Sequence, residues 1–135
     1  IAPENEKYRR ETLRKDLGMA ADAKILLPKI EEFEKNGDVV LDGLYSWDEL
    51  VVLKEKLGSK LNVVAIIADR ELRYSRLSIR EIRPLTREEA EKRDIAEIEN
   101  LAKGGPIAFA DYFLSNNLGI DEYIKNLENI LSSIE

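Results

Sequence analysis

Apolar residues are arranged in two ways along this chain. One arrangement is typical of helices and the other of buried strands. Almost uninterrupted apolar runs occur at residues 39–41, 61–68 and 112–115, and each run predicts a short strand. Between and around them, apolar residues recur every three or four positions, which predicts amphipathic helices. Strands that alternate with helices, one of them almost wholly apolar, indicate an α/β protein with a parallel sheet.

Residues that favour helix ends mark the boundaries of these helices. Ser46 with Glu49, and Thr86 with Glu89, have the spacing of a capping box, in which each residue of the pair satisfies a backbone N–H of the other. Asp69 is expected to end the second strand and to cap the helix after it. The predicted helices cover residues 4–16, 20–35 with a bend at Pro28, 46–58, 70–80, 86–104 and 120–134.

The chain contains neither cysteine nor histidine. Their absence excludes disulfides, thiolate zinc sites, cysteine nucleophiles and serine-histidine hydrolase chemistry. The remaining carboxylates, arginines, lysines, tyrosines and hydroxyls suit phosphoryl transfer, in which positioning and charge stabilisation dominate. No apolar run approaches the roughly 20 residues that span a bilayer, so no membrane partner is expected. A protein without cysteine also fits a cytoplasmic location.

The net charge of −6 argues against nucleic-acid binding, but it conceals a basic segment. Seven of the ten arginines lie between Arg70 and Arg93. This segment has eight basic and five acidic residues, so it carries a charge of +3 and leaves −9 for the rest of the chain. The sequence therefore predicts one basic site on an acidic protein, with no nucleic-acid partner.

Arginines recur every three or four residues in this segment, which would place Arg73, Arg76 and Arg80 on one helix face. The planar guanidinium binds phosphate oxygens at two points and keeps its charge, so the pattern favours a phosphate site. The alternative is a solvated face whose arginines pair with neighbouring glutamates. Pro84 divides the cluster into a helical and a flexible part, which favours a lid-like segment at residues 80–105.

Ligands of open parallel sheets bind beyond the carboxyl ends of the strands. Asp42, Asp69 and Asn116 follow the three predicted strands. Asp42 comes after three apolar residues, as an aspartate that organises magnesium follows a Walker B strand, and Gly43 would let a ligand approach the backbone. A turn explains Asp42 equally well, a helix cap explains Asp69 better, and a turn explains Asn116 better.

Several segments together resemble the bacterial dephospho-CoA kinase-like P-loop proteins and the related archaeal adenylate-kinase-related family. The resemblance covers nearly the whole chain. Its segments are DGLYSWDEL at 42–50, RYSRL at 73–77, IRPLT at 82–86, RDIAEIEN at 93–100, KGGPIA at 103–108 and ADY at 110–112, followed by Asn116.

This resemblance implies a three-layer parallel sheet of order 2-3-1-4-5, in which residues 39–41, 61–68 and 112–115 are strands three, four and five. Strands one and two would be absent. The chain begins at Ile1 without methionine or a leader, so we expect residues 1–135 to be a single P-loop kinase-like domain truncated at its N-terminus. Open sheet edges tend to pair with another strand, so we expect one of three outcomes: further residues of the protein complete the sheet, a homodimer forms, or residues 39–41 pair directly with 61–68.

The resemblance also implies site residues. The strand-end acid, which acts in catalysis and contacts magnesium through water, corresponds to Asp42. The catalytic arginines correspond to Arg76, Arg80 and Arg83. The residues that bind substrate or nucleotide correspond to Arg73, Tyr45, Arg93 and Asn116, the last of them bordering the adenine.

The implied function is an ATP-dependent phosphotransferase that uses Mg²⁺ and acts on a nucleotide-like small molecule, either dephospho-CoA or a nucleoside monophosphate. The chain has no Gly-x-x-x-x-Gly-Lys-Ser/Thr sequence, the loop that cradles the β- and γ-phosphates in P-loop proteins. We therefore expect these residues to be inactive as a kinase on their own. The alternative function is a non-catalytic regulatory or interaction module that lacks the nucleotide loop.

Overall fold

Residues 3–134 are described in the computed structural model, and they form an α/β arrangement in which helix predominates. The helices are α1 Pro3–Leu17, α2 Ala21–Phe33, α3 Trp47–Leu57, α4 Arg70–Ile79, α5 Arg87–Leu101, α6 Gly104–Ala108 and α7 Ile120–Ile134, with a 3-10 turn at Gly58–Lys60. The strands are β1 Val64–Ile67 and β2 Tyr112–Ser115. Within the described residues, no helix is both long enough and apolar enough to cross a membrane.

The chain divides into two compact units. The first unit contains the residues up to Leu61 together with Leu101–Pro106, and the second contains Asn62–Asn100 together with the residues from Ile107 onward. In the first unit, α2 packs against α3. Their buried contact side chains are Ala23, Leu27, Ile30 and Leu53.

Local sequence signals explain the helix boundaries in the first unit. Ser46 caps α3, since its hydroxyl accepts a hydrogen bond from the backbone N–H of Glu49 at 3.2 Å. This confirms the Ser46 half of the predicted capping box. Pro28 lies inside α2, which continues through it to Phe33 rather than ending there.

In the second unit, β1 and β2 form a parallel pair in which Val64 lies opposite Tyr112 and Ile67 lies opposite Ser115. Asp111 aligns the two strands at their start. Its carboxylate accepts the N–H of Val63 at 2.8 Å, and its own N–H donates to the carbonyl of Val63 at 2.8 Å. Helix α7 packs against β2.

The strand predicted at residues 39–41 is wrong, because this segment joins no sheet. The sheet of the described region consists of β1 and β2, so two of the three expected strands form. Val40 is 91% exposed, which no buried strand would allow. An apolar run becomes a strand only where a neighbour satisfies its backbone groups, and the sheet provides none for this segment.

Two further boundaries differ from the prediction. The strand expected at 61–68 is shortened to Val64–Ile67, since the backbone of Val63 is already bonded to Asp111. Asp69 occupies the N-cap position of α4 as predicted, and its carbonyl accepts the N–H of Arg73 at 2.9 Å, but its side chain makes no cap hydrogen bond. Helix α4 ends at Ile79, and Arg80 follows in an extended conformation, outside the helix face that was expected to carry it.

Candidate functional site

Helix α4 is attached to the carboxyl edge of the parallel strand pair. Asn116 directly follows β2, and its N–H donates to the carbonyl of Ile67 at the end of β1 at 2.7 Å. Arg76 reaches back from α4, and its Nη1 donates to the carbonyl of Asn116 at 2.5 Å. The amide oxygen of Asn117 accepts the N–H of Asp69 at 2.8 Å. An arginine helix therefore begins at the strand ends, where ligands of α/β sheets usually bind.

Helix α4 is also bound to α5 by an ion pair. Both terminal nitrogens of Arg73 donate to the carboxylate of Asp94, at 3.2 and 2.7 Å. The buried Tyr74 hydroxyl donates to the same carboxylate at 3.0 Å. Hydrogen bonding to Asp94 raises the pKa of Arg73, and burial together with this hydrogen bond raises the pKa of the Tyr74 phenol. Arg73 is thus held as a cation by a protein carboxylate.

A second ion pair joins the two helices in the reverse direction. Arg87 of α5 donates through both terminal nitrogens to the carboxylate of Glu71 on α4, the longer contact being 2.7 Å. This hydrogen bonding lowers the pKa of Glu71 and raises that of Arg87. The guanidinium carbons of Arg73 and Arg87 lie 5.5 and 5.6 Å from the centre of the Tyr74 ring. The aromatic ring therefore lies close to both cations, within the range of cation–π attraction.

The connection between α4 and α5 holds two further predicted arginines. The Nε of Arg80 donates to the carbonyl of Arg83, which adopts a positive φ of 51°. The N–H of Leu85 donates to the carbonyl of Leu77 at 3.0 Å, and so ties the end of the connection back to α4. A non-glycine residue at positive φ is uncommon and is enriched at functional turns. The connection thus presents Arg80 and Arg83 together in a defined turn.

The segment expected to be a lid, residues 80–105, is mostly helical, since α5 occupies Arg87–Leu101. The backbone N–H of Thr86 donates to Glu89 at 2.8 Å, and that of Glu89 donates to the Thr86 hydroxyl at 3.2 Å, which confirms the second capping box. Arg93 pairs with Glu97 one turn along α5 at 3.0 Å. The binding role predicted for Arg93 therefore competes with a helical ion pair.

Asp42 and Tyr45 lie in the first unit, in the segment that leads into α3. Asp42 is exposed, and Gly43 after it has a φ of +91°, a conformation that favours glycine. Asp42 and Gly43, but not Tyr45, line an open depression of about 360 Å³, counting the solvent at its mouth, together with Asp22, Glu49 and several leucines. Burial of Glu49 raises the pKa of its carboxyl, which hydrogen bonding with Ser46 offsets only in part.

The eight predicted site residues thus divide into four sets of two. Arg76 meets Asn116 after β2, and Arg80 meets Arg83 in the turn after α4. The other four members are Asp42 and Tyr45 in the first unit, and Arg73 and Arg93, which pair with carboxylates of α5.

Asp94 and Tyr74 were missed as members of this arrangement. Asp94 follows the basic segment by one position, and Asp69 precedes it, so counting both reduces the local excess of positive charge from three to one. The position of Asp94 just outside the arginine run was the available signal. Across residues 3–134, no group of three or more acidic side chains is arranged to hold a metal ion.

Comparison with known proteins gives UPF0200 proteins of archaea among the relatives of this chain. The chain is 35% identical to the UPF0200 protein of Pyrococcus furiosus over 136 residues, which covers 98% of this chain and 73% of the relative. It is 34% identical to that of Hyperthermus butylicus over 134 residues, covering 98% of this chain and 70% of the relative.

The UPF0200 protein of Thermococcus onnurineus is 32% identical over 126 residues, covering 90% of this chain and 68% of the relative. No protein-family model matches the chain. The name of these relatives states no activity, so the kinase part of the resemblance stays a prediction. At this identity and coverage, the chain belongs to the UPF0200 family.

Proposed function

We propose that this chain is part of an ATP-dependent phosphotransferase that uses Mg²⁺ and acts on a nucleotide-like small molecule, dephospho-CoA or a nucleoside monophosphate. The observation that carries the proposal is the contact of Arg76 with Asn116 at the carboxyl ends of β1 and β2. A cation held at that edge, on a helix that leads into two more arginines, suits the binding of transferable phosphate.

In this proposal, the arginines stabilise the charge that develops on the phosphoryl group. Arg76 is positioned by a backbone carbonyl, and the turn after α4 supplies Arg80 and Arg83. Donors fixed in advance stabilise a transition state without the cost of reorganisation. Asn116 would border the adenine, and Arg73 and Arg93 would contact substrate only after exchanging their carboxylate partners.

Asp42 is the residue proposed to act on Mg²⁺. Proteins bind this ion through one or two carboxylates together with water and substrate phosphates, so a single exposed aspartate fits an indirect contact through water. It does not suffice to hold the ion without nucleotide. The ion would neutralise phosphate charge, while Asp42 would orient its water shell.

The loop that cradles the β- and γ-phosphates has no counterpart among these 135 residues. The chain spans about 70% of the length of its relatives, 68% to 73% for those compared here. We propose that the loop lies in the part of the relatives' sequences that this chain does not cover. A Gly-x-x-x-x-Gly-Lys-Ser/Thr sequence encoded roughly 50 residues upstream of Ile1 is the expected finding.

A regulatory or interaction module is the alternative function, and one observation favours it. Arg73 and Arg87 already form two-point ion pairs with Asp94 and Glu71, as they would in a structural framework. In such a module the remaining arginines would bind a partner without catalysis.

The test uses the complete product of the coding sequence, assayed for ADP formation from Mg²⁺·ATP with dephospho-CoA or AMP as acceptor. Arg76→Ala and Arg83→Ala are each expected to lower turnover about a hundredfold or more, because a fixed donor to the transition state is lost. Arg70→Ala is the matched control, an exposed arginine of the same helix that pairs with its neighbour Glu71.

Turnover in the control should stay within about twofold of the unmodified protein, since Arg70 pairs with the exposed Glu71, whereas Arg76 contacts Asn116. Unchanged turnover in both leading variants would refute the role of the arginines. Nucleotide binding without any transfer to either acceptor would favour the module.

A further inference from the structure

Two aromatic side chains before and at the start of α3 are each packed against a glycine. A Cβ atom at Gly43 would lie 3.2 Å from Cε2 of Tyr45, and a Cβ atom at Gly105 would lie 2.7 Å from Cε3 of Trp47. Each ring therefore contacts bare backbone on one side. As whole residues, Tyr45 and Trp47 are still 43% and 38% exposed, so each offers an accessible part to a ligand.

A cation lies beside the first of these rings. The ammonium of Lys103 is 5.2 Å from the centre of the Tyr45 ring, within the range of cation–π attraction. Lys103 belongs to a tight turn in which Ala102 has a φ of 50° and its carbonyl accepts the N–H of Gly105 at 2.9 Å. The turn that carries the cation thus also supplies the glycine that seats Trp47.

The residue between the two rings is immobilised. Ser46 is fully buried, and its hydroxyl caps α3. The backbone that carries Tyr45 and Trp47 is therefore fixed by the helix start, and Lys103 by its own turn. A rigid aromatic surface with a positioned cation needs little ordering on binding, which favours affinity.

We propose that Tyr45, Trp47 and Lys103 form a subsite within the first unit, and that its ligand is a nucleoside monophosphate. A planar base would stack on the exposed aromatic surface, and the phosphate would bind the ammonium of Lys103. The inference rests on the proposed function and deepens it by naming the acceptor class and two residues, Trp47 and Lys103, to which the predicted site assigned no role.

Trp47 is the single tryptophan of the chain, so its fluorescence reports directly on this place. The chain as it stands is titrated with AMP, adenosine, inorganic phosphate and dephospho-CoA, without ATP. AMP is expected to bind about tenfold tighter than adenosine or phosphate alone, the gain that one charged contact of about 1.4 kcal/mol provides. A tenfold preference for dephospho-CoA over AMP would show that the ligand of this subsite is the larger adenine nucleotide and not a nucleoside monophosphate.

Variants separate the two halves of the subsite. Lys103→Met should weaken AMP about tenfold and leave adenosine unchanged, while Lys56→Met, an exposed lysine of α3, should leave both unchanged. Tyr45→Ala should weaken both ligands about tenfold because a stacking surface is lost. Tyr45→Phe keeps the ring, so unchanged affinity in this variant shows that the loss in alanine reflects stacking and not misfolding.

The proposal fails if AMP changes neither the Trp47 fluorescence nor the heat in a calorimetric titration. It also fails if Lys103→Met matches Lys56→Met, or if phosphate alone binds as tightly as AMP. These results do not depend on ATP. Loss of phosphotransfer with intact AMP binding would refute the proposed function alone, and the reverse result would refute this subsite alone.

Discussion

The first unit joins α2 to α3 through buried alanine and aliphatic side chains, whereas the second unit joins α4 to α5 through carboxylates, guanidiniums and a phenol around Tyr74. Both arrangements hold helices together, but by different physics. Apolar burial depends little on salt and pH, while partly exposed ion pairs depend on both. The arginine-rich region is therefore stabilised by interactions that depend on salt and pH more than those of the first unit do.

The sheet of the second unit also shows little apolar burial. Parallel sheets are usually covered on both faces, yet Ile66 on one face of the strand pair and Phe113 on the other are more than half exposed. The two strands of the second unit therefore bury less apolar surface than strands covered on both faces would. Polar contacts accordingly contribute a larger part of the stability of this unit.

The largest effect is expected in the apolar core of the first unit. Leu53→Ala should lower the free energy of unfolding by about 3 kcal/mol, because it removes buried methyl groups and leaves a cavity among α2 and α3. Urea unfolding followed by circular dichroism measures this. Val40→Ala should change stability by less than about 0.5 kcal/mol, and a large loss there would restore the rejected strand at residues 39–41.

The second effect concerns the close contact of Gly105 with Trp47. Gly105→Ala should cost about 1–3 kcal/mol, since the new methyl group would lie 2.7 Å from the indole and force it aside. The Trp47 fluorescence spectrum should shift in the same variant. Gly104→Ala is the neighbouring control, because a Cβ there meets nothing within 4 Å. Equal stability of the two variants would show that the indole is not seated on Gly105.

The third effect tests the ion pairs of the second unit. Asp94→Asn should lower the free energy of unfolding by about 1–2 kcal/mol. This is the value expected for a charged hydrogen-bond network, reduced because Arg73 is partly exposed. The loss should shrink in about 1 M salt, where charges are screened within about 3 Å. Asp38→Asn, an exposed loop control, should be neutral. A loss that does not change with salt would mean that Asp94 acts by packing rather than by charge.

The smallest effect is a pair of opposite pH dependences. The pKa of Glu71 is lowered in the folded protein, so its stabilisation is present above the ordinary glutamate value of about 4.3 and is lost as the pH falls through the lowered pKa. The pKa of Glu49 is raised, so its stabilisation is present below that value and is lost as the pH rises through the raised pKa.

Replacing Glu71 or Glu49 by glutamine removes the pH dependence of stability that the replaced carboxyl causes. Relative to the unmodified protein, Glu71→Gln should be least stable near neutral pH and should recover as the pH falls. Glu49→Gln should show its most favourable difference near neutral pH, and this difference should vanish in acid. Melting temperatures between about pH 3 and 7 measure both. Differences that change in the same direction with pH would contradict the assigned causes.

Much of the helical framework could be predicted from the sequence, because the signals act over a few residues. Ser46 with Glu49 and Thr86 with Glu89 start their helices as expected, and β2 has the predicted bounds. Capping needs only a hydroxyl and a carboxylate three positions apart, which the sequence displays directly.

The candidate site was only partly predictable. The arginines and the strand-end Asn116 were recognised by type and position, but Arg73 was expected to face phosphate and instead binds Asp94, 21 positions away. A run of arginines does not reveal which of them a carboxylate neutralises. That choice depends on how two helices approach each other, and the distance between them has no local signal.

The sequence by itself determined where helices begin, which segments are apolar and which segment is basic, since each depends on neighbours along the chain. Only the tertiary structure decided which apolar runs become strands and which cations stay available to a ligand. Val63 finds its partner Asp111 48 positions away, whereas residues 39–41 join no sheet. A strand requires a second backbone within hydrogen-bonding distance, and an ion pair requires an opposite charge, so both are properties of the folded chain rather than of a segment.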